Sequence, residues 1–129
     1  PLEDPEIRHR VIHSYIGLQI MAYNNLRTLS AALRDGEFGP EASIGKYYWS
    51  RWHQDFTEIA MDVMGTDALL GTEWSSETGA PQRGSTDEAT TLRRAFVRGR
   101  AETIYAGASE IQKNIIAERV LKLPKEARR

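Results

Sequence analysis

The sequence contains no cysteine among its 129 residues. This absence excludes disulfide bonds, thiolate metal ligands and cysteine nucleophiles. The chain also lacks a strong net charge, since seventeen basic and eighteen acidic residues leave a formal charge of −1. No global field would therefore attract nucleic acid or an anionic membrane surface. We predict no nucleic-acid partner.

Long apolar runs are missing as well. None approaches the ~20 residues that a membrane-spanning helix needs, and no basic segment followed by an apolar one opens the sequence. We therefore predict no membrane insertion, and a cytoplasmic setting fits best. What is present is an ordinary balance of 40% hydrophobic and 27% charged residues.

Apolar residues recur every three or four positions in the first third of the chain, which predicts one long helix. Asp4 and Pro5 begin it, and Asp35-Gly36 ends it. One apolar strip consists of Ile7, Val11, Tyr15, Leu18, Ala22, Leu26, Leu29 and Leu33, and an adjacent strip consists of Ile12, Ile16 and Ile20. Two strips indicate that the helix packs against more than one neighbour.

A second helix is predicted from Gly39-Pro40-Glu41 to Gly65. Its expected buried face consists of Ile44, Tyr48, Trp52, Phe56, Ile59 and Val63. Residues 71–87 then change to a polar composition rich in glycine, serine and threonine, with Trp74 among them. This pattern predicts a loop longer than a passive connection usually is, which indicates function, flexibility or an inter-subunit contact.

Two capping boxes predict the remaining helices. Ser85 with Glu88 begins a third helix that stops at Ala106-Gly107, and Ser109 with Gln112 begins a fourth. The fourth helix is terminated by Leu123-Pro124. Because no internal repeat and no β-period segment occurs, we predict an all-α protein, an antiparallel four-helix bundle.

Two groups of polar residues could bind ions. His9 and His13 are four positions apart, a spacing that can chelate a metal, but no third ligand is placed near them and we predict no metal site. Four arginines follow one another in the third helix: Arg93, Arg94, Arg98 and Arg100. They are split over two faces, which favours surface charge, solvated or paired with Glu102 and Glu88, over a coenzyme phosphate contact.

The segment from Ile104 to Pro124 joins two predicted helices through a glycine turn. The amide groups that begin the second of these helices could accept an anion or a phosphate. A tight helix–helix turn explains the same residues, because capping boxes are common turn devices. From the residues alone, the tight turn is the preferred interpretation.

From Tyr105 to Pro124 the sequence closely resembles the final signature of the acyl-CoA dehydrogenase family. The segment from Glu41 to Lys46 and the glycine corner at Gly65 are similar to the family too, so the resemblance covers nearly the whole chain. It implies that residues 1–129 form the C-terminal helical domain, a fragment without the family's N-terminal helical and central β domains. The most similar branch is bacterial, particularly actinobacterial, and acts on fatty-acyl or sterol side-chain thioesters.

The resemblance also implies a reaction, in which an acyl-CoA substrate is desaturated across its α,β bond. A glutamate takes the α-proton while the β-hydrogen leaves as hydride to FAD, and an electron-transfer acceptor reoxidises the flavin. Relatives assemble as tetramers, so a homo- or hetero-oligomer is expected. Because the FAD is shared with the missing domains and a neighbouring subunit, the chain should be inactive by itself.

The matching positions carry over the family's site residues. Those that match FAD contacts in the turn between the third and fourth helices are Ala108, Ser109 and Glu110. Gly107 matches a substrate-contacting backbone position. A second corner, which in the family reaches FAD bound mainly by a neighbouring subunit, is matched by Asp62, Gly65 and Thr66.

Two departures from the family pattern affect the chemistry. Ala106 occupies the usual position of the catalytic glutamate and cannot move a proton, so the resemblance leaves this chain without a catalytic residue. Glu102 lies one turn earlier, but helical side chains lean toward the N-terminus, which points it away from the corner. Asp62 replaces the usual glutamine and would repel a diphosphate unless it bonds a ribose hydroxyl. The alternative function is a non-catalytic assembly subunit of a heteromeric dehydrogenase.

Overall fold

The computed structural model describes residues 3–40, 42–69 and 88–125. Four α-helices follow one another in the chain: α1 (Pro5–Asp35), α2 (Ala42–Met64), α3 (Glu88–Glu102) and α4 (Ser109–Ile115). A 3-10 turn, Gly65–Ala68, extends α2, and a π-helical turn, Ile116–Val120, extends α4. No strand occurs in these three ranges, so the predicted all-α class is confirmed.

Helix α1 begins and ends at the predicted residues. The side chain of Asp4 accepts a hydrogen bond from the backbone N–H of Glu6 at 2.8 Å, which satisfies one of the free amides of the first turn. Gly36 adopts a left-handed conformation with φ 84°, and its N–H donates to the carbonyl of Ala32 at 2.8 Å. Local capping therefore sets both ends of this helix.

Helix α2 lies between α1 and α3 and runs antiparallel to both. Toward α1, Arg10 binds Asp62 near the end of α2, while Asn25 lies beside Gly45 near its beginning. Toward α3, Arg93 near its start donates to the carbonyl of Asp67, which follows the end of α2. The helix α4 packs against the opposite, N-terminal end of α2. Every helix of the described residues thus has its main contact with α2.

The central position of α2 corrects the buried face predicted for it. Of the six predicted residues only Ile59 is buried, whereas Phe56 and Val63 are exposed at their side chains. Ser50 and Thr57, on the other side of the helix, are 1% and 0% exposed. The apolar pattern predicted only the side of α2 that faces α1, because the side that packs against α3 is formed by polar residues.

Helix α1 does not use its apolar strips to pack within the described chain. Its buried residues are Gly17 and Met21, neither of which belongs to the two predicted strips. Most members of both predicted strips are exposed, with Tyr15 at 61% and Leu33 at 79%. The expected second neighbour of α1 is therefore absent from the described residues, and two apolar strips remain uncovered there.

The second half of the chain needs two further corrections. The α3 helix ends at Glu102, earlier than predicted, and residues 103–106 form a turn before Gly107. Ala108, and not Ser109, is the N-cap of α4, and no side-chain capping bond forms. The predicted capping box is therefore wrong.

Two other expectations fall outside the described residues. They concern the loop at 71–87 with Trp74, and the capping residue Ser85. Within the described ranges, no helix combines the length and apolar character required to cross a membrane.

Candidate functional site

The corner between α3 and α4 has an unusual backbone. Ala106 has φ 54° and Gly107 has φ 97°, so two consecutive residues adopt left-handed conformations. For a residue with a Cβ atom this conformation costs about 1–2 kcal/mol. Such strain persists only where the surrounding structure holds the segment in place, and it occurs often at functional sites.

Gln112 and Ser109 complete the inner side of this corner. A Cβ atom on Gly107 would overlap Nε2 of Gln112, so the Gln112 side chain occupies the space above that glycine. Ser109 is 5% exposed, and its hydroxyl oxygen has no hydrogen-bond partner among the described residues. Buried polar atoms nearly always have a partner, so an unsatisfied hydroxyl here requires an explanation.

Three side chains of α2 hold the end of α3 that leads into the corner. Lys46 donates to the backbone carbonyl of Glu102, and Gln54 donates to the carbonyl of Gly99 at 3.0 Å. Nδ1 of His53 lies 2.7 Å from the Glu102 carboxylate, and the side chains of that pair are 17% and 8% exposed. The Lys46 ammonium also lies 5.7 Å from the ring centroid of Tyr105. Polar bonds with defined directions therefore fix this end of α3.

The carboxylates near the corner do not point into it. Glu102 is turned toward α2, where it meets His53, in agreement with the direction expected from its place on the helix. Glu110 is exposed and lies 3.8 Å from the ammonium of Lys113. Ala106 is exposed at the corner itself. Neither carboxylate therefore replaces the one that is missing at Ala106.

The second predicted corner follows α2. Gly65 has φ 58°, and it and Thr66 are exposed. The carboxylate of Asp62 accepts a hydrogen bond from Arg10 at 2.7 Å. The negative charge that was expected to repel a diphosphate is therefore balanced by an arginine of α1.

The two corners lie at opposite ends of α2. The α3–α4 corner is near its beginning, where Lys113 lies over the ring of Tyr47 at 5.6 Å. The other corner includes Asp62 at the end of the helix. Lys46 and Asp62 are separated by about 24 Å along the axis at ~1.5 Å per residue. The structure brings Gly107, Ala108, Ser109 and Glu110 together, and keeps Asp62, Gly65 and Thr66 apart from them.

The arginines of α3 make contacts that were not predicted. Arg100 binds Glu58 at 2.7 Å, whereas Glu102 pairs with His53, so the expected pairing of an arginine with Glu102 is wrong. One buried nitrogen of Arg94 has no hydrogen-bond partner in the described part of the chain.

The two histidines of α1 lie side by side. The rings of His9 and His13 are 4.3 Å apart between centroids. No group of three or more histidine, aspartate or glutamate side chains suited to a metal ion occurs in ranges 3–40, 42–69 and 88–125.

Comparison with known proteins identifies the family. The model of the acyl-CoA dehydrogenase C-terminal domain matches residues 1–121. The chain belongs to the acyl-CoA dehydrogenase family. It is 40% identical over 126 residues to acyl-CoA dehydrogenase IpdE1 of Mycolicibacterium smegmatis, and 36% identical over 126 residues to the protein of that name from Mycobacterium tuberculosis.

These relatives are much longer than the matched region. The alignments cover 98% of this chain but only 28% and 29% of the two acyl-CoA dehydrogenases. No solved structure gives a significant match. Family membership thus concerns the C-terminal helical domain, and the activity of a whole dehydrogenase is a matter for proposal.

Sequence reasoning missed the His53–Glu102 pair within this family domain. The two residues are 49 positions apart in the chain, and no local pattern connects them. In the sequence, His53 is only a histidine that follows Trp52 of the apolar stripe. Only the packing of α2 against α3 assigns it a partner.

Proposed function

We propose that the chain forms the C-terminal part of the flavin site in an FAD-dependent acyl-CoA dehydrogenase. The reaction is the α,β-desaturation of an acyl-CoA thioester, and the chain alone is inactive. The observation that carries this proposal is the α3–α4 corner, where the strained turn at Ala106 and Gly107 precedes the unpartnered hydroxyl of Ser109. The family match over residues 1–121 supports it.

The residues of the corner fit a polar cofactor. A buried hydroxyl without a partner is satisfied once an external donor or acceptor approaches it. Ser109, with Ala108 and Glu110 beside it, would hold FAD. Gly107, whose backbone lies in the left-handed turn, would contact the substrate.

The position of the second corner supports a shared site. Asp62, Gly65 and Thr66 lie too far along α2 to join Ser109 at the same part of one cofactor. We infer that they reach FAD bound mainly by a neighbouring subunit, with the Asp62 charge balanced by Arg10.

Oligomerisation is the second part of this inference. The apolar strips of α1 are largely exposed in the described chain, and contiguous exposed apolar residues mark interaction surfaces, which supports their burial in a tetramer.

When bound, FAD supplies a hydride acceptor, and the protein contributes alignment and electrostatics. An α-proton beside a thioester is weakly acidic, so a positioned carboxylate must take it. Ala106 has no group that could do so, and the carboxylate of Glu102 is turned toward α2, where it is engaged by His53. We infer that the base lies outside the described residues, upstream or on a partner subunit. Fatty-acyl and sterol side-chain thioesters are both candidate substrates, an electron-transfer protein is the expected acceptor, and the setting is cytoplasmic.

The alanine at position 106 favours a second candidate, a non-catalytic assembly subunit that keeps the oligomer interface. The substitution Ala106→Glu separates the two in the intact complex. A large gain in desaturation means that a site lacking only its base is present at this corner. An unchanged rate favours the assembly role.

The main test uses the complete protein, purified with its candidate partner subunits. Flavin absorbance and formation of the unsaturated thioester are measured for wild type and for Ser109→Val. We expect a yellow, active wild type and a loss of flavin in the variant, while Ser30→Val on the exposed side of α1 leaves flavin content unchanged. A colourless protein that stays inert with every candidate partner refutes the dehydrogenase function.

A further inference from the structure

We propose that Glu102 and His53 form a positioning pair, which holds the α3–α4 corner in the geometry that cofactor binding needs. The pair joins α2 to the last residue of α3, four positions before Ala106. This inference rests on the proposed function of the corner. It assigns a role to two residues that the family resemblance leaves without one.

The carboxylate of Glu102 is buried and has a single side-chain partner among the described residues. The residue is 6% exposed, and its carboxylate meets the imidazole of His53 and no arginine or lysine side chain among the described residues. Lys46 instead bonds the main-chain carbonyl of the same residue. A buried carboxylate is costly to leave without a partner, so the position of His53 determines where Glu102 can lie.

The imidazole of His53 is itself held in place. Its ring stacks on that of Trp49, with centroids 5.0 Å apart and planes 13° from parallel. Gly99 of α3 lies beside the ring, since a Cβ atom there would be at an ordinary contact distance, 3.9 Å, from Nδ1 of His53. The imidazole is therefore oriented before it meets the carboxylate of Glu102.

The bonds around this pair continue directly into the corner. Gln54 also reaches the hydroxyl of Thr103 at 3.3 Å, and the carbonyl of Thr103 accepts from the N–H of Ser109 at 2.9 Å. The backbone amides of Ile104 and Tyr105 donate to Ala101. Displacement of the end of α3 would therefore displace Ser109.

The strained backbone at Ala106 needs support, and the bonds between α2 and the end of α3 can provide it. Ala106 would leave its left-handed conformation for a more stable one unless the surrounding structure held it there. The described residues offer little apolar packing there, since Ile104 and Tyr105 are 70% and 46% exposed. The directional bonds from α2 to the end of α3 therefore contribute to holding it, together with the packing of α4 on α2. A buried polar pair is weak evidence for a gain in stability, so we infer that this one acts by fixing the position of the end of α3.

The test measures flavin binding in the complete protein with its partner subunits. Glu102→Leu removes the carboxylate, and Glu102→Gln keeps an oxygen that can accept from His53. The matched control is Glu58→Leu, because Glu58 also joins α2 to α3 through a 2.7 Å ion pair, with Arg100, but is exposed. His53→Phe is a second variant that retains the ring stacked on Trp49.

We expect Glu102→Leu and His53→Phe to weaken flavin binding by about tenfold or more. Misplacement of a site by about 1 Å through a remote substitution can cost on the order of a hundredfold in rate, and a cofactor contact depends on position in the same way. The visible absorption band of the flavin should shift in both. Glu102→Gln should restore the band and the affinity, and Glu58→Leu should leave both as in wild type. If Glu102→Leu does not fold, His53→Phe decides the question.

Two results overturn the inference in distinguishable ways. Flavin affinity and spectrum that are unchanged in folded Glu102→Leu and His53→Phe, with a yellow wild type, refute the positioning role and leave the proposed function intact. A colourless wild-type complex refutes the proposed function, and the positioning role falls with it.

Discussion

The contact between α1 and α2 predicts opposite outcomes for one substitution at two glycines. A Cβ atom on Gly17 would lie 2.9 Å from Cδ1 of Trp52 and 2.9 Å from the hydroxyl of Tyr48. A Cβ atom on Gly45 would lie 3.7 Å from the side-chain oxygen of Asn25, an ordinary contact. Gly17→Ala should therefore destabilise the protein, whereas Gly45→Ala should stabilise it.

The size of the stability change depends on the side chains that an alanine at position 17 would displace. The indole N–H of Trp52 donates to the carbonyl of Ser14 at 2.8 Å, so the ring cannot shift without weakening that bond. Overpacking costs about 1–3 kcal/mol, and a lost hydrogen bond costs about 1 kcal/mol. Alanine regains about 1 kcal/mol of helix propensity over glycine. We expect Gly17→Ala to lose about 2 kcal/mol and Gly45→Ala to gain up to about 1 kcal/mol.

Urea unfolding and thermal unfolding of the two variants beside wild type measure this difference. The thermal midpoint should move by about 4 °C for each kcal/mol in a chain of this size, which places the variants roughly 10 °C apart. Gly45→Ala is the matched control, because it makes the same chemical change in a helix without a close neighbour. Equal stability of the two variants, or a more stable Gly17→Ala, would refute the packing argument.

Three other substitutions test separate features. Gly107→Ala should destabilise by about 1–2 kcal/mol because the residue is left-handed, and the side chain of Gln112 should move, which its NMR amide signals would report. Trp52→Phe should lose about 1 kcal/mol with the bond to Ser14, measured by urea unfolding, and a neutral result would mean the bond is dispensable. Asp4→Ala should lose about 1 kcal/mol of capping energy, seen as a lower thermal midpoint, whereas Asp4→Ser should lose little.

Much of the helical layout was predictable because its signals are local. Asp4 and Gly36 act through bonds to residues a few positions away, so their roles can be read from the chain. The glycine turn at Gly107 also appears where it was expected. The end of α3 was less predictable, since the four turn residues 103–106 continue the helical pattern in composition but not in backbone geometry.

Partner choice between helices was not predictable in the same way. The apolar strips of α1 suggested burial, yet the side of α1 that meets α2 is built around Gly17 and Met21. A small residue permits close approach of a large ring, and that fit depends on Trp52 of another helix. Ser109 is a similar case: its capping pattern is common, but its hydroxyl is buried by the fold instead of bonding the helix end.

The sequence by itself determined the four helices, both ends of α1, the end of α2 and the family, because periodicity, capping and a twenty-residue signature are properties of neighbouring positions. The tertiary structure alone decided that α2 is central, that Asp62 is balanced by Arg10, and that Glu102 meets His53. These pairs join residues about fifty positions apart, and such contacts depend on how whole helices align. Electrostatic and hydrogen-bonding partners therefore emerge only when the helices pack.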